Sequence, residues 1–227
     1  MKKSFAGIMA VVAFMTGGAT AQVVDFDDIT FWVGSGANRA GLVIDFHNGG
    51  SQSAVQESWV WGYRWDGVAT GFDMLSAVSS ADISLTVDSP GFLTTATYVV
   101  GLNTYQGVSD FVFDDVSWGY YIAGGSSVIF DSSPPFGPTG TFNAPNGGMN
   151  RPSSAQWSIS TSGSADRTLA DGSWDAWSFG AYDPVTFDHL VPPSDAAYAA
   201  IPEPGAGVLV LVGAAVAGLW RRTRART

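Results

Sequence analysis

Ser58-Trp59-Val60-Trp61-Gly62-Tyr63-Arg64-Trp65 decides the fold class of this chain. Trp59, Trp61, Tyr63 and Trp65 recur at period two, the repeat of a β-strand. One face of that strand is therefore wholly aromatic, while Val60, Gly62 and Arg64 face the other way. Asp66-Gly67 closes the run with a turn pair. The aromatic face has two readings. It is core, because each ring buries a large area, or it is a platform on which a flat ligand stacks.

Working outward, Gly, Ser, Thr, Val and aromatic residues dominate, and turn signals recur at short intervals. Further strands are expected at 42–46, 83–87, 94–99, 120–130, 156–160 and 174–179. One helix is expected near 71–80. Thr70 serves as its N-cap and Asp73 completes a capping box, with Met74, Leu75 and Val78 on the apolar face. The stretch 131–155 carries Pro134, Pro135, Pro138, Pro145 and Pro152 with four glycines between them, which predicts a long loop without regular structure. Residues 184–201, with Pro192-Pro193 and an alanine-rich stretch, read as a linker or stalk. Phe26-Asp27-Asp28-Ile29-Thr30-Phe31-Trp32 echoes Phe113-Asp114-Asp115-Val116-Ser117-Trp118, an echo too short to establish an internal repeat.

The two ends have a different character. Met1-Lys2-Lys3 is basic, residues 5–15 are apolar, and Ala19-Thr20-Ala21 fits the small-x-small cleavage rule. Residues 1–21 thus read as a secretory signal peptide with Gln22 as the mature start. At the other end, Pro202-Glu203-Pro204 precedes an apolar run over 205–220, and Arg221, Arg222, Arg224 and Arg226 follow at once. The run is shorter than the ~20 residues of a typical span. Positive charge directly behind a span stays cytoplasmic, which puts the body on the outer side.

This tail resembles the PEP-CTERM sorting signal of Gram-negative bacteria. The resemblance covers about a tenth of the chain (26 of 227 residues). It implies export, transient anchoring in the inner membrane through a C-terminal transmembrane helix, and processing by an exosortase. Glu203 would be gripped in the extended backbone between Pro202 and Pro204, and the four arginines would halt export. The product would reach the cell surface or the extracellular matrix, where exopolysaccharide is the expected neighbour.

With the ends set aside, the body over 22–200 carries four arginines, no lysine, 18 aspartates and Glu57, a formal charge of −15. Such a surface excludes nucleic acid as a partner, because phosphates need cations. There is no cysteine, hence no disulfide and no thiol chemistry. About 180 residues suffice for one domain burying ~70% of its unfolded surface. The resulting expectation is a mainly β domain over 22–183. It is antiparallel and sandwich-like, or α+β with one short helix, and is flanked by the signal peptide and the C-terminal helix.

No nucleophile elbow, zinc-protease helix, P-loop or dinucleotide fingerprint is present. A Ser-His-Asp triad would have to use His47 or His189, the two histidines of the chain. The many aspartates leave glycoside hydrolysis as an alternative to a non-enzymatic role. Asp27, Asp28, Asp114 and Asp115 are hard oxygen ligands of the kind calcium takes, though not at EF-hand spacing. They are read either as a structural calcium site or as strand and turn caps. No other cofactor is expected.

A second resemblance is carried by Gly147-Gly148, Trp157-Ser158-Ile159-Ser160-Thr161-Ser162-Gly163, Arg167-Thr168-Leu169 and the stretch from Asp171 to Gly180. Together these resemble a segment of exported bacterial proteins associated with cobalt or corrinoid uptake. The stretch from Trp59 to Leu75 is similar to a segment of surface proteins of uncharacterised role. The first similarity implies capture of a corrinoid outside the cytoplasm. A binding module for a corrinoid or a polysaccharide, with Trp59, Trp61, Tyr63 and Trp65 as its platform, therefore stands beside the surface-protein reading.

Overall fold

The computed structural model describes residues 22–47, 57–89, 91–110, 115–131, 137–185 and 188–201. The signal segment 1–21 and the sorting segment 202–227 lie outside the described residues, as does Asp114. What is described is mainly β, built as three sheets with the helix α1 (Gly71–Ala81).

The central sheet has seven strands: β1 (Trp32–Gly34), β2 (Asn38–Asp45), β3 (Ser58–Trp65), β7 (Val116–Ala123), β10 (Ser158–Ile159), β12 (Ser173–Ala181) and β13 (Tyr198–Ala199). They run in the order β1-β3-β2-β12-β7-β10, and β13 also pairs with β3. A second sheet joins β4 (Leu85–Val87), β5 (Thr95–Val100) and β6 (Asn103–Val108). A third joins β11 (Arg167–Thr168), β8 (Ser126–Asp131) and β9 (Gly137–Asn143). The second and third sheets are antiparallel.

The expected sheet was antiparallel, but the central one is mixed. β12 lies parallel to β2, and both β1 and β13 lie parallel to β3. The cause is topological. β12 arrives from more than a hundred residues downstream and inserts beside β2, so no short hairpin dictates its direction.

Each face of the central sheet has its own cover. On one face Ala40, Leu42, Ile44, Trp59, Trp61 and Trp177 meet α1 and the β4–β6 sheet. Trp59 and Trp61 stand edge-on to Tyr98 at 5.3 and 5.0 Å, the favoured geometry for aromatic pairs. The capping box holds as expected. The Asp73 N–H donates to the Thr70 hydroxyl at 3.2 Å, and the Asp73 carboxylate accepts the Thr70 N–H at 2.9 Å. Met74, Leu75 and Val78 are the buried face of the helix. At its other end Asp82 accepts the Trp61 indole N–H at 2.8 Å, tying helix to strand.

The opposite face is covered by the chain termini of the body. Gly41 and Gly62 are paired across β2 and β3. The Trp174 ring lies over the first and the Trp32 ring over the second, so close that a Cβ at either glycine would meet ring carbons at 2.2–2.3 Å. Phe26 sits between the two indoles, with ring centroids 4.7 Å from Trp174 and 5.8 Å from Trp32. Arg64 stacks on the outer face of Trp32 at 4.8 Å.

Three further expectations change. The stretch 120–130 is not one strand: Gly124 and Gly125, at φ 68° and 64°, turn a corner that sends β7 and β8 into different sheets. The stretch 131–155 is not wholly irregular, since β9 lies within it. Its Pro138 is tolerated because β9 is the edge of its sheet. Residues 188–201 are not a free stalk. Val191, Ala197, Ala199 and Ala200 are buried, and the Ala200 N–H donates to the Val60 carbonyl at 2.9 Å. The small alanine side chains permit this close approach. Arg151 then locks it, donating to the carbonyls of Val23 at 3.0 Å and Ser194 at 2.9 Å, and to that of Asp195.

The indole-over-glycine contacts give a direct test. Gly41→Ala and Gly62→Ala should each lower unfolding free energy by about 1–3 kcal/mol, the cost of overpacking a filled site. Urea titration followed by tryptophan fluorescence measures it, and unchanged midpoints would refute the tight fit.

Candidate functional site

Two adjoining hollows lie beside the outer edge of β7. The larger, about 340 Å³, is bounded by the β7 residues 117–120, the loop 159–163, Phe92, Tyr182 and His189. The smaller, about 260 Å³, lies between Ile159–Thr161 and the β8–β9 hairpin, against Ile129 and Phe142. Ile159, Ser160 and Thr161 belong to both, so the two form one cleft.

Two contacts set the register along this edge of β7. Val116 exchanges both peptide hydrogen bonds with Asp110, at 2.9 and 3.1 Å. Two pairs further along, the Tyr120 carbonyl accepts the Ser160 N–H at 2.8 Å. Peptide groups of an antiparallel strand point alternately to its two sides. Those of Trp118 therefore point to the same side as those of Val116 and Tyr120.

Among the described residues, no Asp, Glu, Lys or Arg lines either hollow. His189 is present but engaged. Its Nε2 lies 2.9 Å from the Ser117 carbonyl, which only accepts, so that nitrogen carries the proton. Its Nδ1 then accepts the Tyr121 hydroxyl at 3.1 Å. Burial lowers the His189 pKa below its usual 6.5, which keeps the ring neutral. Burial likewise raises the Tyr121 phenol.

A second polar group, Asp45, His47 and Ser178, is wholly buried. It has the residue types of a hydrolytic triad but not the geometry. Ser178 Oγ at 2.9 Å and Asp45 Oδ2 at 3.2 Å both face the same nitrogen, His47 Nε2. In a working triad the carboxylate holds the opposite ring nitrogen. The Ser178 hydroxyl moreover donates to the Val191 carbonyl at 2.7 Å, and Asp45 accepts the Ser194 N–H at 2.8 Å. Burial lowers the His47 pKa against the pull of Asp45. Burial, with Asp45 adding to it, raises that of Glu57. These groups fasten residues 191–194 to the sheet.

The third polar group is Arg167, Asp175 and Tyr120. Arg167 and Asp175 are fully buried and paired, Nε to Oδ1 at 3.0 Å. The Tyr120 hydroxyl donates to the other carboxylate oxygen. Burial raises the Asp175 pKa, and Arg167 acts against that rise. The remaining Arg167 donors meet the carbonyls of Ser126 and Ala123, both at 3.3 Å, and of Thr168 at 3.2 Å.

The residues singled out in the sequence fall as follows. Trp59, Trp61 and Trp65 are buried and Tyr63 is half-buried, stacked on Trp65 at 5.5 Å. The stripe faces the core and presents no open platform, because α1 and the β4–β6 sheet lie over it. Asp28 accepts the N–H groups of Val24 and Asp25, at 2.8 and 3.2 Å, in capping a single 3-10 turn. Asp27 lies in that same turn, and Asp115 is exposed at φ 48°. Among the described residues no three His, Cys, Asp or Glu side chains converge as a metal site. Pro202, Glu203, Pro204 and the four tail arginines lie outside the described residues.

The cleft itself was missed in the sequence. Its walls come from many separate stretches between Phe92 and His189 and carry no periodic signal. The hydroxyl run Ser160-Thr161-Ser162 before Gly163 was the one local hint. No known protein family, curated protein or solved structure matches the chain.

Two predictions follow from the buried groups. Arg167→Met strands the Asp175 carboxylate and should cost about 3–5 kcal/mol in a denaturant titration, with Arg167→Met/Asp175→Asn recovering a substantial part. For His189, a folded pKa below 6.5 means the unfolded chain binds more protons. Its share of stability is complete above pH 6.5 and falls as pH drops below it. The thermal midpoint should therefore fall between about pH 7.5 and 5.5, and less steeply in His189→Gln. An equal slope in both proteins would clear His189 of that role.

Proposed function

We infer that this chain is an exported surface or extracellular-matrix protein, sorted by a PEP-CTERM-type signal, whose body has a non-enzymatic role. The observation that carries this is the order of the tail: Pro202-Glu203-Pro204, the apolar run 205–220, and four arginines. The basic and apolar start over 1–21 agrees with it in orientation. In this reading a signal peptide and a C-terminal transmembrane helix flank the β-rich body. An exosortase-type enzyme processes the chain at the inner membrane, and the body is handed to the surface or the polysaccharide layer.

Several features of the body support the reading. Its acidic, lysine-free composition keeps it soluble and away from nucleic acid. The last described residue, Ile201, donates its N–H to the Tyr98 hydroxyl at 3.4 Å. Loss of everything from Pro202 onward thus takes nothing out of the described core. The Ser178, His47 and Asp45 group is committed to structure, which favours a non-enzymatic body. A second reading, a module binding a corrinoid or a polysaccharide outside the cytoplasm, draws on the cleft beside β7. A hydrolase using paired aspartates gains nothing from that cleft, whose described lining has no carboxylate.

Deleting residues 202–227 should release the protein from the envelope or strand it in the periplasm, with the circular dichroism of the body unchanged. Fractionation and immunoblotting of the native host measure this, and unaltered surface retention would overturn the sorting reading.

A further inference from the structure

The cleft beside β7 differs chemically from the rest of the body. The body carries a formal charge of −15, yet among the described residues no charged side chain lines the cleft, and its one imidazole is neutral and already engaged. An anionic ligand finds no cation there and meets an acidic surround. A cationic ligand finds no carboxylate inside. The cleft is therefore matched to an uncharged ligand.

Two kinds of group remain for that ligand. The first is apolar surface on the rim. Phe92 is 63% exposed and Ile159 43%, and Ile129 and Phe142 flank the second hollow. A ring as large as Phe92 held at the mouth of a hollow offers a flat face for stacking. The second is a hydroxyl group held at the surface. Thr161 is exposed and lines both hollows.

An added peptide strand fits less well. The bridge at Val116 and the Ser160–Tyr120 bond leave a single residue's peptide groups between them, whereas strand addition uses several in succession. A ligand with a weakly apolar flat face and hydroxyls around its rim satisfies both kinds of group at once. The two hollows, joined through Ile159–Thr161, offer consecutive positions for repeating units.

The geometry points to this cleft as a binding site for an uncharged oligosaccharide or polysaccharide. Phe92 stacks on a sugar ring, Ile159 divides the two positions, and the Thr161 hydroxyl meets a sugar hydroxyl. The site is distinct from the Trp59–Trp65 stripe, which is core. It specifies the second reading above and does not depend on how the chain is sorted.

The test uses the full chain in a detergent without a sugar headgroup, run by affinity electrophoresis through gels containing a β-1,3-glucan, a β-1,4-glucan, a mannan or a xylan. An alginate gel serves as the polyanionic arm, and an extended-peptide library on beads as the strand-addition arm. At least one neutral glycan should retard the protein, equally at low and high salt. Phe92→Ala should weaken that retention about tenfold, since it removes a stacking face worth of order one decade. Thr161→Val tests the hydroxyl contact separately. Both positions are exposed, so near-ultraviolet circular dichroism should show each variant folded as the parent. Retardation lost in either variant supports the site. Retention unchanged in both, retardation by alginate alone, capture by peptides alone, or no retardation in any gel overturns it. Because the assay uses purified protein, a negative result leaves the sorting reading untouched, and a localisation failure leaves this one untouched.

Discussion

The buried pair of Arg167 and Asp175 is the contact on which the assembly turns. Asp175 belongs to the middle of the central sheet, and Arg167 to the third sheet. The guanidinium also holds the carbonyls of Ala123 and Ser126, which flank the glycine corner where β7 becomes β8. The start of α1 closes over the same spot: a Cβ at Gly71 would meet the Tyr120 hydroxyl at 2.1 Å and Asp175 Oδ2 at 2.6 Å. One ion pair thus ties the central sheet to the third sheet directly beneath the start of the helix. Buried ion pairs of this kind contribute little net stability compared with an apolar replacement, but removing one partner is expensive. In this fold the pair's effect is on arrangement, because the acceptors of the guanidinium are spread over three chain segments that apolar side chains would not have distinguished.

Much of the frame was legible in the sequence because it obeys local rules. The period-two aromatics from Trp59 to Trp65 match β3 residue for residue, and Thr70 with Asp73 marked the start of α1. Both signals act over a few residues and need no knowledge of the rest. The places where the sequence misled are those decided by distant partners. β13 is two residues long and has no pattern of its own; it exists because Val60 offers a free edge and Arg151 anchors the strand that reaches it. β9 hides among prolines because edge strands tolerate them.

The cleft belongs to the second class. Phe92, Thr161 and His189 are separated by dozens of residues, and each looks ordinary alone. Their meeting follows from the register of β7 against Asp110 and Ser160, which no composition or spacing reveals. The charge balance of the body was read correctly from composition, but its unevenness was not. Aspartates such as Asp28 and Asp73 are spent on caps and turns, and none of the described residues lining the cleft is charged.

The pairing of β2 with β12, and of β3 with β13, has a consequence for the timing of folding. Strands from the first quarter of the body wait for partners from its last quarter. A chain appearing from its N-terminus forms the β2–β3 hairpin early, but Trp59 and Trp61 then stand uncovered until α1 and β5 follow. The central sheet stays open along β2 until β12 arrives. Non-local pairing of this sort slows folding and lengthens the life of intermediates with exposed apolar surface. The domain is therefore a late folder, complete only when nearly its whole length is free, and a holding chaperone would find its best grip on the half-built aromatic face.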